Sequence, residues 1–152
     1  MNLTEQKQLR IMIQLGIIQQ LMTTRTHQLF KNFSINPSEF SLLSHFSHQP
    51  TRSWTISELA NVMEMNQPGI TKLVASLLDK SALHAEVDAQ DKRKRHLTIT
   101  KQGLNLCGEI MQKLQPDISA CFADWQDQEL DQLLATSEKM MRWLDDNRLK
   151  SN

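Results

Sequence analysis

The chain holds no tyrosine, only two cysteines, four glycines and four prolines in 152 residues, and its formal net charge is zero. Each scarcity excludes something. Two cysteines cannot build a disulfide scaffold. No apolar run approaches ~18 residues, so no transmembrane helix is expected. The start, Met1 to Arg10, lacks a basic stretch followed by an apolar one. No signal peptide is therefore read, and a cytoplasmic location and no membrane partner are expected. There is no glycine-rich phosphate loop, no Gly-x-Ser-x-Gly and no His-Glu-x-x-His, and the missing tyrosine removes a frequent acid or ligand anchor. No catalytic residue, no cofactor and no enzymatic activity are expected. Zero net charge argues against a generic polyanion binder. Without internal repeat or flexible linker, the length suits one domain, or one domain with dimerisation arms.

What is present centres on Thr55 to Thr100. The segment TISELANVMEM places Ile56, Leu59, Ala60 and Met63 on one helical face. NQPGITKLVASLLDK places Ile70, Leu73, Val74, Leu77 and Leu78 at i, i+3, i+4, i+7 and i+8. Both fit an amphipathic helix. LHAEVDAQDKRKRHLTIT then reads as a hairpin with a basic bend from Asp91 to Arg95. Two short helices and a basic hairpin describe a winged helix-turn-helix, a DNA-reading module. Thr55 with Glu58 forms a capping box, and Asn66 is an N-cap with Pro68 in the first turn. Gly69 has two readings, close approach of the helix start to a phosphate or base edge, or simple tolerance at about 1 kcal/mol against alanine.

Helices flank this module. Residues from about Thr4 to Phe33 read as one long helix, with Leu9, Met12, Ile13, Ile17 and Leu21 on an apolar face that Ile11, Leu15 and Ile18 widen. So much apolar surface belongs in a core or at a subunit interface. Asn36-Pro37-Ser38-Glu39 starts a second helix with Phe40, Leu43 and Phe46 inward. Thr100 caps a helix running from Leu104 toward Phe122, which Pro116 should kink or interrupt. Asp127 is read as the cap of the last helix, carrying Leu130, Leu133, Leu134, Met140, Met141 and Leu144. The tail from Arg148 to Asn152 is expected to fray.

Charge is unevenly spread. From Asn66 to Lys101 seven basic residues face four acidic ones, a balance of +3, whereas from Asp117 onward eight acids face four bases, −4. That suits DNA binding through one face. On the second helix of the motif, Gln67, Gly69, Thr71, Lys72 and Ser76 are non-core positions near the start, where base edges are met. Gln67 suits adenine, and Lys72 guanine or phosphate. Lys92, Arg93, Lys94 and Arg95 form the wing tip and suit phosphate or the minor groove. Asp91 would orient Arg93, accepting from its guanidinium or from turn amides. His45 and His48, three apart, permit joint metal coordination, but no third ligand accompanies them and no metal site is expected. Cys107 and Cys121 would lie about 21 Å apart on a continuous helix, so an intrachain bridge requires a sharp break at Pro116. Both fall on or near apolar faces, where cysteine packs. Trp54, Trp125 and Trp143 are read as core or interface.

Asp91-x-Arg93, then Leu97-Thr98-Ile99-Thr100 and Gly103, resembles the D-x-R, L-x-L-T, x-x-G pattern of the MarR family of bacterial transcription regulators. The specific motif covers Thr55 to Gly103, and the helix layout covers nearly the whole chain. Two positions depart from the pattern. Ser81-Ala82 stands where the family usually has Gly-Leu, and Ala85-Glu86 where a basic residue is common. The resemblance implies a mainly α fold with a small β-hairpin wing. It implies one chain over residues 1–152, a helical dimerisation region at 1–34 and 116–150, and a winged-helix region at 36–115. It also implies a homodimer on double-stranded DNA, most often a repressor at an inverted repeat. A small, often aromatic acidic effector would release the DNA from a crevice that no residue here identifies. The other reading is a winged-helix protein-interaction adaptor that binds no DNA.

Overall fold

The computed structural model describes residues 1–149. The chain runs α1 (Leu3–Leu29), a 3-10 turn (Phe30–Asn32), α2 (Pro37–Ser47), α3 (Ile56–Val62) and α4 (Gln67–Asp79). It continues as β1 (Leu83–Val87), β2 (Arg95–Ile99), α5 (Lys101–Cys121) and α6 (Asp127–Asp146). It divides into two units, one up to Leu114 and one from Gln115 onward. The mainly helical fold with one hairpin is as expected, with differences at several element ends.

In the first unit, α1 stops at Leu29 and its last turn tightens. The tightening buries Phe30 and sets its ring edge-on to Phe33, with centroids 4.9 Å apart. The core then gathers Leu42, Leu43 and Phe46 from α2, Leu59 from α3, Ile70, Val74 and Leu77 from α4, and Leu97 and Ile99 from β2. Phe40 is only partly buried, and Leu42 takes the place expected of it. Truncating one such leucine to alanine costs about 2–5 kcal/mol. All three expected caps of this unit's early helices form. The side chains of Asn36, Thr55 and Asn66 accept from Glu39, Glu58 and Gly69 amides at 2.9, 3.2 and 2.8 Å.

The end of α4 explains the departure at Ser81. Ser81 donates its N–H to the Leu78 carbonyl and Ala82 to that of Leu77, at 3.0 and 2.9 Å. This paired closure requires a left-handed residue between the helix and the strand. Ser81 adopts it, with φ of 57°, without being glycine. Ala82 is fully buried. Its carbonyl accepts from the Thr100 N–H and hydroxyl at 3.0 and 3.1 Å. Thr100 in turn caps α5 by accepting from the Gly103 amide at 2.9 Å. A Cβ at Gly103 would stand 2.2 Å from the Ala82 oxygen, so only glycine lets α5 start there.

β1 and β2 pair antiparallel, Leu83 opposite Ile99 and Val87 opposite Arg95. Trp54 adds a third edge that periodicity does not reveal. Its N–H and carbonyl bond Leu97 at 2.9 and 2.8 Å.

In the second unit Pro116 does not interrupt α5, which runs unbroken through Cys121. Proline removes one N–H and crowds one carbonyl, a local defect that the helix on either side absorbs. The break that an intrachain cysteine bridge requires is therefore missing. Cys107 is buried, but Cys121 is exposed rather than packed. The cap of α6 is Gln126, not Asp127. Glu129 reaches back to accept the Gln126 N–H at 2.9 Å. Asp127 is the first helical residue, where its charge still suits the helix dipole. Trp125 and Trp143 are exposed, unlike Trp54. Of the tail expected to fray, Arg148 pairs with Asp145 at 2.6 Å, and residues 150–152 lie outside the described residues.

No residue of α1 or α6 is buried. Ile13, Leu21, Leu134 and Trp143 are each more than half exposed. Among the described residues no helix is long and apolar enough to cross a membrane.

Two substitutions test the junction after α4. Ser81→Gly relieves a left-handed serine and should raise stability by about 1 kcal/mol. Gly103→Ala gains helix propensity but forces the main chain apart, and should lose about 1–3 kcal/mol net. Urea unfolding midpoints measure both, and a stabilising Gly103→Ala would contradict the close approach.

Candidate nucleic-acid interface

The start of α4 offers part of the surface that its sequence suggests. Gln67, Thr71 and Lys72 are exposed. Thr71 commits its hydroxyl proton to the Gln67 carbonyl at 2.9 Å, leaving its oxygen lone pairs and methyl group outward. Gly69 has a local reason that neither sequence reading contained. A Cβ there would lie 2.9 Å from the Asn66 Oδ1 that caps the helix and 3.3 Å from Met65 Cε. Glycine thus leaves room for the cap.

Ser76 leaves the candidate surface. It is half-buried, and its hydroxyl donates to Glu39 Oε1 in a short hydrogen bond. Glu39 is only 5% exposed. Its carboxylate also accepts the Asn36 N–H at 2.9 Å and takes Lys80 Nζ at 3.1 and 3.0 Å on its two oxygens. Burial pushes this carboxyl up, but the Ser76 hydroxyl, the Asn36 amide and the Lys80 ammonium together bring it below its ordinary value. A buried carboxylate is costly unless paired and hydrogen-bonded. Here every partner is supplied, and α4 is fastened to the start of α2. A capping box explains Glu39 locally, but not its reach to α4. The available signal is Ser76 and Lys80, spaced i, i+4 beside a buried helix face.

The wing tip is more ordered than a run of cations suggests. Asp88 N–H donates to the Lys94 carbonyl at 2.9 Å, and Lys94 N–H to that of Asp91 at 3.0 Å. Asp88 Oδ1 accepts from the Gln90 and Asp91 amides at 2.9 and 3.0 Å. Its Oδ2 meets His96 Nε2 at 2.7 Å. The His96 contact first, then the two amides, hold this carboxyl far below the usual carboxylate range. Asp91 Oδ1 accepts from the Arg93 backbone N–H at 3.0 Å. Of the two acceptor roles open to Asp91, the turn amide is the one realised. Lys92, Arg93, Lys94 and Arg95 are all exposed, and among the described residues none is paired with a carboxylate.

The His45 ring packs edge-on to Trp54 at 4.6 Å, and Arg52 lies 3.5 Å over the Trp54 ring. Burial, then His48 and Arg52, lower the His45 pKa and favour the neutral ring. Among the described residues no group of three potential metal ligands converges.

The two roles on α4 separate by mutation. Ser76→Ala should lower stability by about 1–3 kcal/mol, the scale of a hydrogen bond to a charged group. It should leave the DNA affinity of the folded protein unchanged. Because the Glu39 carboxyl is lowered from 4.5, its stabilisation is complete above that value and lost as pH falls through the lowered one. Glu39→Gln should flatten the acid limb of a urea-midpoint profile below about pH 5. An unchanged acid limb would remove the clamp.

No family model and no curated protein sequence matches the chain. Solved structures do. A MarR family protein from Bacillus stearothermophilus is 19% identical with a TM-score of 0.79, over 95% of this chain and 99% of that one. The transcriptional regulator BldR from Sulfolobus solfataricus is 24% identical with a TM-score of 0.76, over 93% and 99%. MepR from S. aureus, solved as a complex with DNA, is 20% identical with a TM-score of 0.71, over 87% and 96%. The likeness extends along almost all of each chain, through the helices and the hairpin alike: this chain is built on the winged-helix fold of the MarR-family regulators.

Proposed function

We propose that the chain is a sequence-specific DNA-binding transcription regulator of the MarR type, acting as a homodimeric repressor, and not an enzyme. The observation that carries this is the wing tip. Four exposed cations, none of them paired with a carboxylate among the described residues, stand at a wing tip held in one shape by internal hydrogen bonds. A solvated charge run needs no such order, whereas a phosphate or groove contact gains from it. The start of α4 adds exposed Gln67 and Lys72, groups suited to base edges and phosphate. MepR, of the same fold, is crystallised on DNA.

The dimer reading rests on the uncovered apolar faces of α1 and α6. In this reading they meet a second copy, with residues 1–34 and 116–150 as the dimerisation region. The effector reading rests on a concavity of about 380 Å³ lined by Lys31, Glu39 and Lys80. Its volume lies in the range of small-molecule sites, and Lys31, beside the Lys80–Glu39 pair, suits an acidic ligand.

Selection of bound fragments from random DNA is the test. A two-fold dimer should recover an inverted repeat with half-sites about 10 bp apart, centre to centre. Sites without a repeat would contradict dimeric docking, and light scattering of a monomer at micromolar protein would contradict the dimer itself. Lys72→Ala should weaken binding nearly uniformly across sequences and reduce the salt slope by about 1 if it holds phosphate. Arg93→Ala should cost about 1–3 kcal/mol of operator affinity, with Arg93→Lys recovering only part, because a guanidinium enters a narrow groove better than an ammonium.

A further inference from the structure

We propose that Asp88, which lies outside the D-x-R motif, is the positioning residue of the wing: it transmits the direction of β2 to the basic tip, and specific DNA binding depends on it. The inference rests on the DNA-binding reading above.

Its carboxylate stands at a crossing of strand and loop. Oδ2 meets the His96 ring of β2 at 2.7 Å. An ionised carboxylate only accepts, so His96 Nε2 carries the proton of this bond. Oδ1 gathers the Gln90 and Asp91 amides at 2.9 and 3.0 Å. Asp91 then repeats the device one step further and holds the Arg93 amide at 3.0 Å. The order of the tip thus runs from His96 through Asp88 to Asp91 and Arg93. Asp91 secures one amide at the far end of this relay, and Asp88 secures the relay to the sheet. Asp88 lies in the loop that carries the cations, so on charge alone it opposes phosphate binding. Its benefit to binding is pre-organisation, because a loop already shaped for its target loses less freedom on docking.

Two substitutions with the same change of charge separate these effects. Asp88→Ala removes charge and acceptor, and Asp88→Asn removes the charge but keeps an oxygen for the two amides. In its other tautomer the His96 ring can accept at Nε2 from the asparagine NH2. On the duplex that the wild-type protein selects from random fragments, at fixed salt, Asp88→Ala should bind on the order of tenfold more weakly. Asp88→Asn should bind as tightly as wild type or more tightly. Hydrogen exchange of the free proteins should show the Gln90 and Asp91 amides accelerated in Asp88→Ala and protected in Asp88→Asn. The loop is at the surface, so both variants should melt as one cooperative unit near wild type. Equal affinity of the two variants, whether both gain or both lose, overturns the role. So does unchanged exchange in Asp88→Ala. A wild-type protein that selects no duplex fails the DNA reading itself and the positioning role with it, an outcome that the wild-type arm identifies alone.

Discussion

The carbonyl of Ala82 is the constraint through which the rest of the reading unit is assembled. It sits where α4 has ended, β1 is beginning, β2 is finishing and α5 is about to start. Two Thr100 donors converge on it, and Gly103 passes too close for any side chain. The wing and α5 are thereby built onto the end of the same helix that presents Gln67 and Lys72. Ser81 supplies the required left-handed turn at some conformational cost, and the buried methyl of Ala82 seals it. The geometry that a glycine would give freely is imposed here by the hydrogen bonds on either side.

A second constraint acts on the side of α4. Glu39 is a charge in the core, tolerable only because an amide, a hydroxyl and an ammonium meet it. Removing any one partner leaves the others to hold a buried carboxylate. Asn36, Glu39 and Lys80 also line the concavity beside Lys31. A ligand that competed for Lys80 there would act directly on the attachment of α4.

Local chemistry was legible in the sequence and distant pairing was not. The caps at Asn36, Thr55, Asn66 and Thr100 could be read because a cap joins residues three apart. The buried faces of α3 and α4 could be read from their period, and the wing from its pattern of apolar ends and basic bend. Ser76 looks like a contact residue locally because its partner, Glu39, lies 37 positions earlier. The value of Asp88 depends on His96 standing across the hairpin, a pairing that no local pattern shows. The Trp54 bridge escaped for the same reason, since a one-residue strand has no period. At α6 residue preference points to the wrong cap. Asp127 is the better capping type, yet Gln126 holds the position because Glu129 reaches back to its amide. Pro116 does not end α5, since one missing N–H does not stop a helix that is formed on both sides.

The central claim is that α4 and the ordered wing act together as one DNA-reading surface. Hydrogen exchange of the protein with and without its selected duplex tests this most directly. The account predicts that DNA slows exchange in peptides covering Asn66 to Lys72 and Asp88 to Arg95, with both effects relieved together as salt is raised. Protection confined to α6, or protection that persists unchanged at high salt, would contradict it.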